Sequence, residues 1–190
     1  MLLGEKIAVN DAIVGFASSG IHANGISLAR LTAKSLPKGY QTKLPSGATF
    51  GEAILTPSYL YSSLMQDLFA QQINLHYAIN ITGHGWRKIM RASQPFCYEI
   101  NYVPEPPEIF PFIQKQAKMS DSEMYATFNM GVGFVVFLPQ KDVDKTIKIA
   151  LKNKIKAWQL GTVKKAQKFP SVNIEPKKIK YEAADLRIRL

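Results

Sequence analysis

Residues 15 to 30 read GFASSGIHANGISLAR, with three glycines, three serines, a histidine and an asparagine set between two apolar segments. Ahead of this stretch, AIVGFA at residues 12 to 17 is a short apolar run closed off by Asp11 and the serines, the pattern of a buried strand. Behind it, Ile26, Leu28, Leu31 and Leu36 recur on one side of a predicted helix over residues 24 to 36, with Asn24 placed to cap its start and Pro37 and Gly39 to end it. A polar loop between strand and helix presents unpaired backbone N–H groups where the helix dipole is positive, and both effects favour an anion. Ser18, Ser19, Gly20, Asn24 and Gly25 are therefore candidate contacts to a phosphate, with a plain strand-to-helix turn as the alternative. His22 lies in mid-loop, where an imidazole of ordinary pKa about 6.5 exchanges a proton at neutral pH or simply caps backbone groups. The loop matches neither GxGxxG nor GxxxxGK[ST], the common nucleotide fingerprints.

The same pattern recurs further on. HYAINIT reads as a strand, GHG as a tight turn and WRKIMRA as a short helix, so Thr82, Gly83, His84 and Gly85 form a second small-residue loop. FNMGVGF places Asn129, Gly131 and Gly133 ahead of a third apolar strand, GFVVFLP. Two strand, loop and helix units in one domain suggest a ligand between them.

The rest of the chain supplies the framework. A helix is predicted from Thr56-Pro57 to about residue 71, with Leu60, Leu64, Leu68 and Phe69 on its buried face, after a loop at KLPSGATF. FCYEINYV is a strand, PEPPEIFPFIQKQ a proline-stiffened entry to a helix, and SDSEMYATF a helical turn with Ser120 and Glu123 in capping-box spacing. QKDVDKTIKIALKN is amphipathic through Val143, Ile147, Ala150 and Leu151, and the end alternates strand-like segments, KAWQLGTVKKA and VNIEPKKIKY. This order predicts an α/β or α+β layered domain, helices on a mixed sheet, in one domain over residues 1–190.

With 46% hydrophobic residues and mean hydropathy near zero, the chain has the make-up of a soluble globular domain; its longest apolar runs fall short of the roughly 20 residues a membrane helix needs. The N-terminus lacks the form of a signal peptide, so a cytoplasmic location is expected. Cys97 has no second cysteine to pair with and no histidine at ligand spacing, and it reads as buried filler. No metal site is expected. Residues 141–190 carry 14 Lys and Arg against 5 Asp and Glu, nearly all of the +10 net charge. Those lysines are scattered, without an arginine cluster or interleaved aromatics, and read as a solvated face rather than a nucleic-acid site.

GFASSGIHANGISLAR, TPSYLY, NITGHGWRKIMR, PPEIFPFIQ, SDSEMYATFNMGVGF and AWQLGTV stand in an order and spacing that resembles the C-terminal half of the aminoimidazole ribonucleotide (AIR) synthetase family, the phosphoribosylformylglycinamidine cyclo-ligases, over roughly residues 4 to 175. The resemblance implies de novo purine biosynthesis: ATP activates the formyl oxygen of formylglycinamidine ribonucleotide, an internal amine closes the imidazole ring, and ADP and phosphate leave. It also implies a homodimer whose N-terminal domain holds most of the ATP and Mg²⁺ groups, with the ligand in a cleft against the C-terminal domain. The lysine and aspartates of that N-terminal half have no matching positions here, so the chain looks like the second half alone, one wall of the cleft, inactive until an N-terminal partner joins it.

Carried onto matching positions, the resemblance has Ser18, Ser19, Gly20, Asn24 and Gly25 cradle the ribotide or its phosphate and His22 transfer a proton or stabilise the activated oxygen. Thr82, Gly83, Gly85, Asn129 and Gly131 would complete the cleft. Familiar members read His-Ile-Thr and three glycines where this chain has Asn80-Ile81-Thr82-Gly83-His84-Gly85, which leaves the role of His84 open. Selenophosphate synthetase, thiamine-monophosphate kinase and the hydrogenase-maturation proteins share the two-domain plan without SSGIHANG and EMYATFNMG. An orphaned, purely ribotide- or phosphate-binding module is the reading from a different class.

Overall fold

The computed structural model of the chain describes residues 2–92, 94–166 and 168–183. Strand β1 (Ala12–Ala17) is buried along both faces, which is why AIVGFA is continuously apolar rather than alternating. It is flanked by β4 (Val132–Leu138) and β5 (Ala157–Lys165), both antiparallel to it. With β2 (Tyr77–Asn80), β3 (Phe96–Ile100), β6 (Ser171–Ile174) and β7 (Ile179–Glu182) they form one seven-stranded sheet in the order β2-β4-β1-β5-β3-β6-β7. Only β3 and β6 run parallel, so the sheet is mixed, as expected.

Alternation along the central strands splits the core between the two faces of the sheet. Ile13, Val135, Phe137, Leu160 and Val163 pack with α1 (Ile26–Ser35), α2 (Phe50–Ile54), α4 (Ile109–Ala117), α5 (Asp121–Thr127) and a 3₁₀ turn at Gly85–Arg91. Ala12, Val14, Phe16, Val136 and Leu138 pack with α3 (Ser62–Ala70) and α6 (Val143–Lys152). On that second face β3, β6 and β7 turn Cys97, Glu99, Asn173, Lys180 and Glu182 outward into an open groove. Cys97 is thus half-buried rather than a core filler: Tyr98 and Ile100 take the inward positions of β3, and the strand's period of two sends Cys97 the other way.

Three helices differ from their sequence patterns. Helix α1 starts at Ile26, after Gly25 in the left-handed region, and Asn24 does not cap it. Its buried positions are Ala29, Thr32 and Ala33, with Leu31 63% exposed, because small side chains let the helix lie close to the layer beneath. The predicted helix from Thr56 instead begins at Ser62 and leaves residues 55–61 as an irregular strap, so Leu60 is 82% and Phe69 54% exposed, while Leu64 and Leu68 are buried as expected. The loop at KLPSGATF is present, and at its end the segment between it and Thr56 forms α2, nucleated by a capping box in which Thr49 and Glu52 satisfy each other's backbone amides. In α6, Val143 and Ala150 are buried and Leu151 is exposed. Among the described residues no helix is long and apolar enough to cross a membrane.

The capping box at Ser120 is present as its spacing predicts: Ser120 Oγ accepts from Glu123 N and the Glu123 carboxylate accepts from Ser120 N. Ser120→Ala should lower stability by about 1 kcal/mol, read as a shifted denaturant midpoint at unchanged slope.

Candidate functional site

Sheet topology brings the polar loops together. Strands β1 and β2 are both antiparallel to β4, so their C-terminal ends meet where β4 begins. Ser18 N donates to Gly131 O at 2.9 Å and Ile81 N to Gly133 O at 2.9 Å, fixing both loops against residues 131–133.

Asn129, with 0% exposure, organises this corner. Its Oδ1 accepts from Ser18 Oγ (2.8 Å) and Gly131 N (2.9 Å), and its Nδ2 donates to Gly20 O (3.0 Å) and Ile21 O (3.3 Å). Its carbonyl accepts from Trp86 Nε1 at 3.0 Å, which ties in the second loop. Asn24, also buried, donates to Thr127 O at 2.7 Å instead of capping α1. Two glycines are required by space as well as by positive φ: a Cβ on Gly25 would overlap the Phe128 ring, and one on Gly85 would overlap Tyr125 O.

With those side chains turned inward, part of the loop's backbone remains unengaged. Ser19 N donates to His22 Nε2 and Asn24 N to Ile21 O, both at 3.1 Å. The amides of Gly20, Ile21, His22, Ala23 and Gly25 have no acceptor among the described residues. His22 Nε2 lies 3.1 Å from both Ser19 N and Ser19 Oγ; in the neutral tautomer protonated at Nδ1 it accepts from Ser19 N–H. Burial between Tyr59, Tyr61 and Gly133 pushes its pKa below the usual histidine range, in the same sense. Ser19 Oγ donates to Pro57 O at 2.6 Å and Tyr61 Oη to Ala17 O at 2.7 Å, which draws the 55–61 strap across the loop.

A cleft of about 520 Å³ opens beside this loop, lined by Ser18, Gly131, Tyr59, Trp158, Lys154 and Lys156 among others. A smaller one of about 230 Å³ takes in Ser19 and Gly20. The structure therefore gathers Ser18, Ser19, Gly20 and Gly131 on cleft walls and sets Asn24, Gly25 and Asn129 behind them as supports. Thr82, Gly83 and Gly85 line neither cleft and occupy the adjoining corner. There Thr82 Oγ1 accepts from Lys88 Nζ at 2.6 Å, and Asn80 Oδ1 accepts from the same ammonium at 2.7 Å. Burial, and secondarily the Arg91 charge, hold Lys88 below the usual lysine range.

Tyr59, Trp158, Lys154, Lys156 and Lys88 were not singled out by sequence. Pairing of β1 with β5 brings 154–158 to the loop, and no local signal announces a contact 140 residues distant; nor does the short helical pattern WRKIMRA mark Lys88 as its buried lysine. The groove over β3, β6 and β7, about 570 Å³, is larger but shares no lining residue with these two clefts, and it holds the ion pairs Lys164–Glu99 and Lys180–Glu182. Among the described residues no group of three His, Cys, Asp or Glu could hold a metal ion.

Residues 8–172 match the family model for AIR synthase related protein, C-terminal domain. The phosphoribosylformylglycinamidine cyclo-ligase of Methanococcus maripaludis (strain DSM 14266) is 38% identical over 176 residues, 92% of this chain and 49% of the relative. That of Methanocaldococcus jannaschii is 39% identical over 165 residues, 86% of this chain and 47% of the relative. The chain spans about half the length of the curated relatives it matches. Among solved structures, hydrogenase maturation protein HypE superposes with a TM-score of 0.60 at 11% identity, over 94% of this chain and 54% of that one. T. maritima PurL complexed with FGAR superposes with a TM-score of 0.55 at 12% identity, over 94% and 28%. At such identities the likeness is one of fold, and it agrees with the mixed, helix-flanked sheet.

Two outcomes follow from this corner. Asn129→Asp sets a carboxylate against two carbonyl oxygens and should cost about 3 kcal/mol or more in chemical denaturation. His22 has its folded pKa below its unfolded one, so the unfolded chain binds the extra proton; the stability this gives is full above about pH 6.5 and is lost as pH falls below it. The unfolding midpoint should drop between about pH 7.5 and 5.5 more steeply for the wild type than for His22→Gln.

Proposed function

The chain belongs to the family of AIR synthase related proteins, matching their C-terminal domain, and from that premise we propose that it forms the substrate-holding wall of a phosphoribosylformylglycinamidine cyclo-ligase. The reaction proposed is the ATP-dependent ring closure of formylglycinamidine ribonucleotide to aminoimidazole ribonucleotide, in the cytoplasm. The observation that carries the proposal is the run of backbone amides at Gly20, Ile21, His22, Ala23 and Gly25 without an acceptor, held rigid by Asn129 at the N-terminus of α1. Preorganised N–H groups at a helix start suit a phosphate, and they cost nothing further to orient when it arrives.

Around that anchor, Tyr59 and Trp158 offer apolar walls for a sugar or base, and Lys154 and Lys156 raise the local concentration of an anion. Ser18, Ser19, Gly20, Asn24, Gly25, Asn129 and Gly131 shape the cradle, and Thr82, Gly83 and Gly85 extend it along the sheet edge. Burial favours the neutral form of His22, and in the tautomer that accepts from Ser19 N–H its Nε2 takes the proton lost by the attacking amine once that contact is exchanged for substrate.

In this proposal residues 1–190 act as one domain, and the ATP- and Mg²⁺-binding, dimer-forming half is supplied by sequence outside them. The described residues do not fit a Mg²⁺ site of their own, so no step is assigned to the metal on this chain. Two proteins of similar fold carry phosphorylated ligands in their structures, HypE in complex with ATP and T. maritima PurL with FGAR, in line with this reading.

Titration with aminoimidazole ribonucleotide should shift the amide NMR signals of residues 18–25; no movement there removes the phosphate cradle. Mixing the chain with the N-terminal half of the Methanocaldococcus jannaschii relative should restore ATP-dependent ring closure, and His22→Ala should slow it by about a hundredfold or more. Ligand-induced shifts with no turnover would favour the binding-module reading instead.

A further inference from the structure

Lys88 is only 8% exposed, yet its ammonium meets neutral oxygens alone: Nζ donates to Asn80 Oδ1 at 2.7 Å and Thr82 Oγ1 at 2.6 Å, with no carboxylate at ion-pair distance among the described residues. Withdrawing a cation from water without a counter-charge is costly, and the cost is recovered where an anion completes the site. Tying β2 to the turn after it needs no charge, since a neutral side chain bonds two oxygens equally well. The charge is what remains to be explained.

Its effect on Thr82 is definite. A hydroxyl oxygen that accepts from an ammonium keeps its own hydrogen for donation, and the accepted bond polarises that O–H. Thr82 is half-exposed and its hydroxyl has no hydrogen-bond partner besides Lys88 among the described residues, so its hydrogen is available to the outside. Lys88 has spent two of its three N–H groups on Asn80 and Thr82 and retains one. Gly83 follows without a side chain, and space is open where its Cβ would stand, so a ligand can approach the backbone there.

We propose that Lys88 and Thr82 act as one unit that binds a phosphoryl oxygen at the Thr82–Gly85 loop, Thr82 donating its hydroxyl hydrogen to that oxygen and Lys88 charging the turn from beneath. This rests on the reading that this edge of the sheet takes a phosphorylated ligand, and it adds a second anion contact to the cradle at residues 18–25. Lys88 is a positioning residue and Thr82 the group that touches the ligand.

Calorimetric and NMR titrations of the chain with aminoimidazole ribonucleotide and, separately, with ATP and Mg²⁺ distinguish whether the phosphoryl group belongs to a ribotide or a nucleotide. For whichever ligand moves the Thr82 amide and methyl signals, Lys88→Met and Thr82→Val should each weaken binding about tenfold. Thr82→Ser, which keeps the hydroxyl, should bind as the wild type does, and the double variant should be no weaker than the poorer single one. Thr82→Val leaves the lysine in place and carries the test if Lys88→Met does not fold. A lowered unfolding temperature with unchanged affinity makes Lys88 a brace and overturns the pair. Should aminoimidazole ribonucleotide move residues 18–25 while both variants bind normally, the pair alone fails; should neither ligand move any signal at this edge, the pair and the cradle fail together.

Discussion

The carboxamide of Asn129 is the constraint on which this corner of the molecule depends. It is enclosed by protein, and each of its hydrogen-bonding positions is used: two acceptances, from Ser18 and Gly131, and two donations, to Gly20 and Ile21. Because the carbonyls of the loop are turned inward to meet it, the intervening N–H groups are turned away from the core. The same residue reaches the second loop through its backbone carbonyl and the Trp86 indole, so the two loops cannot shift independently without breaking a buried bond.

Charge at this end of the sheet is arranged in two depths. Nearest solvent, Lys154 and Lys156 stand at the mouth of the cleft beside Ser18, where they are screened and act over distance. Beneath the surface, His22 is kept neutral by burial and Lys88 is held by neutral oxygens alone. In the proposed function the outer lysines would steer an anion toward the inner groups. On the open face over β3, β6 and β7, Glu99 and Glu182 pair with Lys164 and Lys180; Arg187 and Arg189 lie outside the described residues.

Local patterns carried a large part of the architecture. Strand β1 is recognisable because a strand covered on both faces must be apolar throughout, and α5 because Ser120 and Glu123 have the spacing at which they cap each other. The strand, loop and helix order around residues 12–36 and 77–91 follows from glycines and small polar residues that interrupt apolar segments. The misjudged boundaries have a common cause. Leu60, Phe69 and Leu31 fit a helical stripe, but hydrophobic spacing does not say whether a neighbouring layer is there to cover it, and at those positions none is.

The sequence by itself determined the class of fold and the polar character of the loops at residues 18–25 and 82–85, since both follow from side-chain period and from the backbone freedom of glycine. Only the tertiary structure decided that Asn24 and Asn129 face inward, that β5 delivers Lys154, Lys156 and Trp158 beside Ser18, and that Lys88 lies under Thr82. These arrangements come from pairing of strands far apart in the chain, and the energy of such a pairing is set by the two surfaces that meet, which neither segment encodes alone.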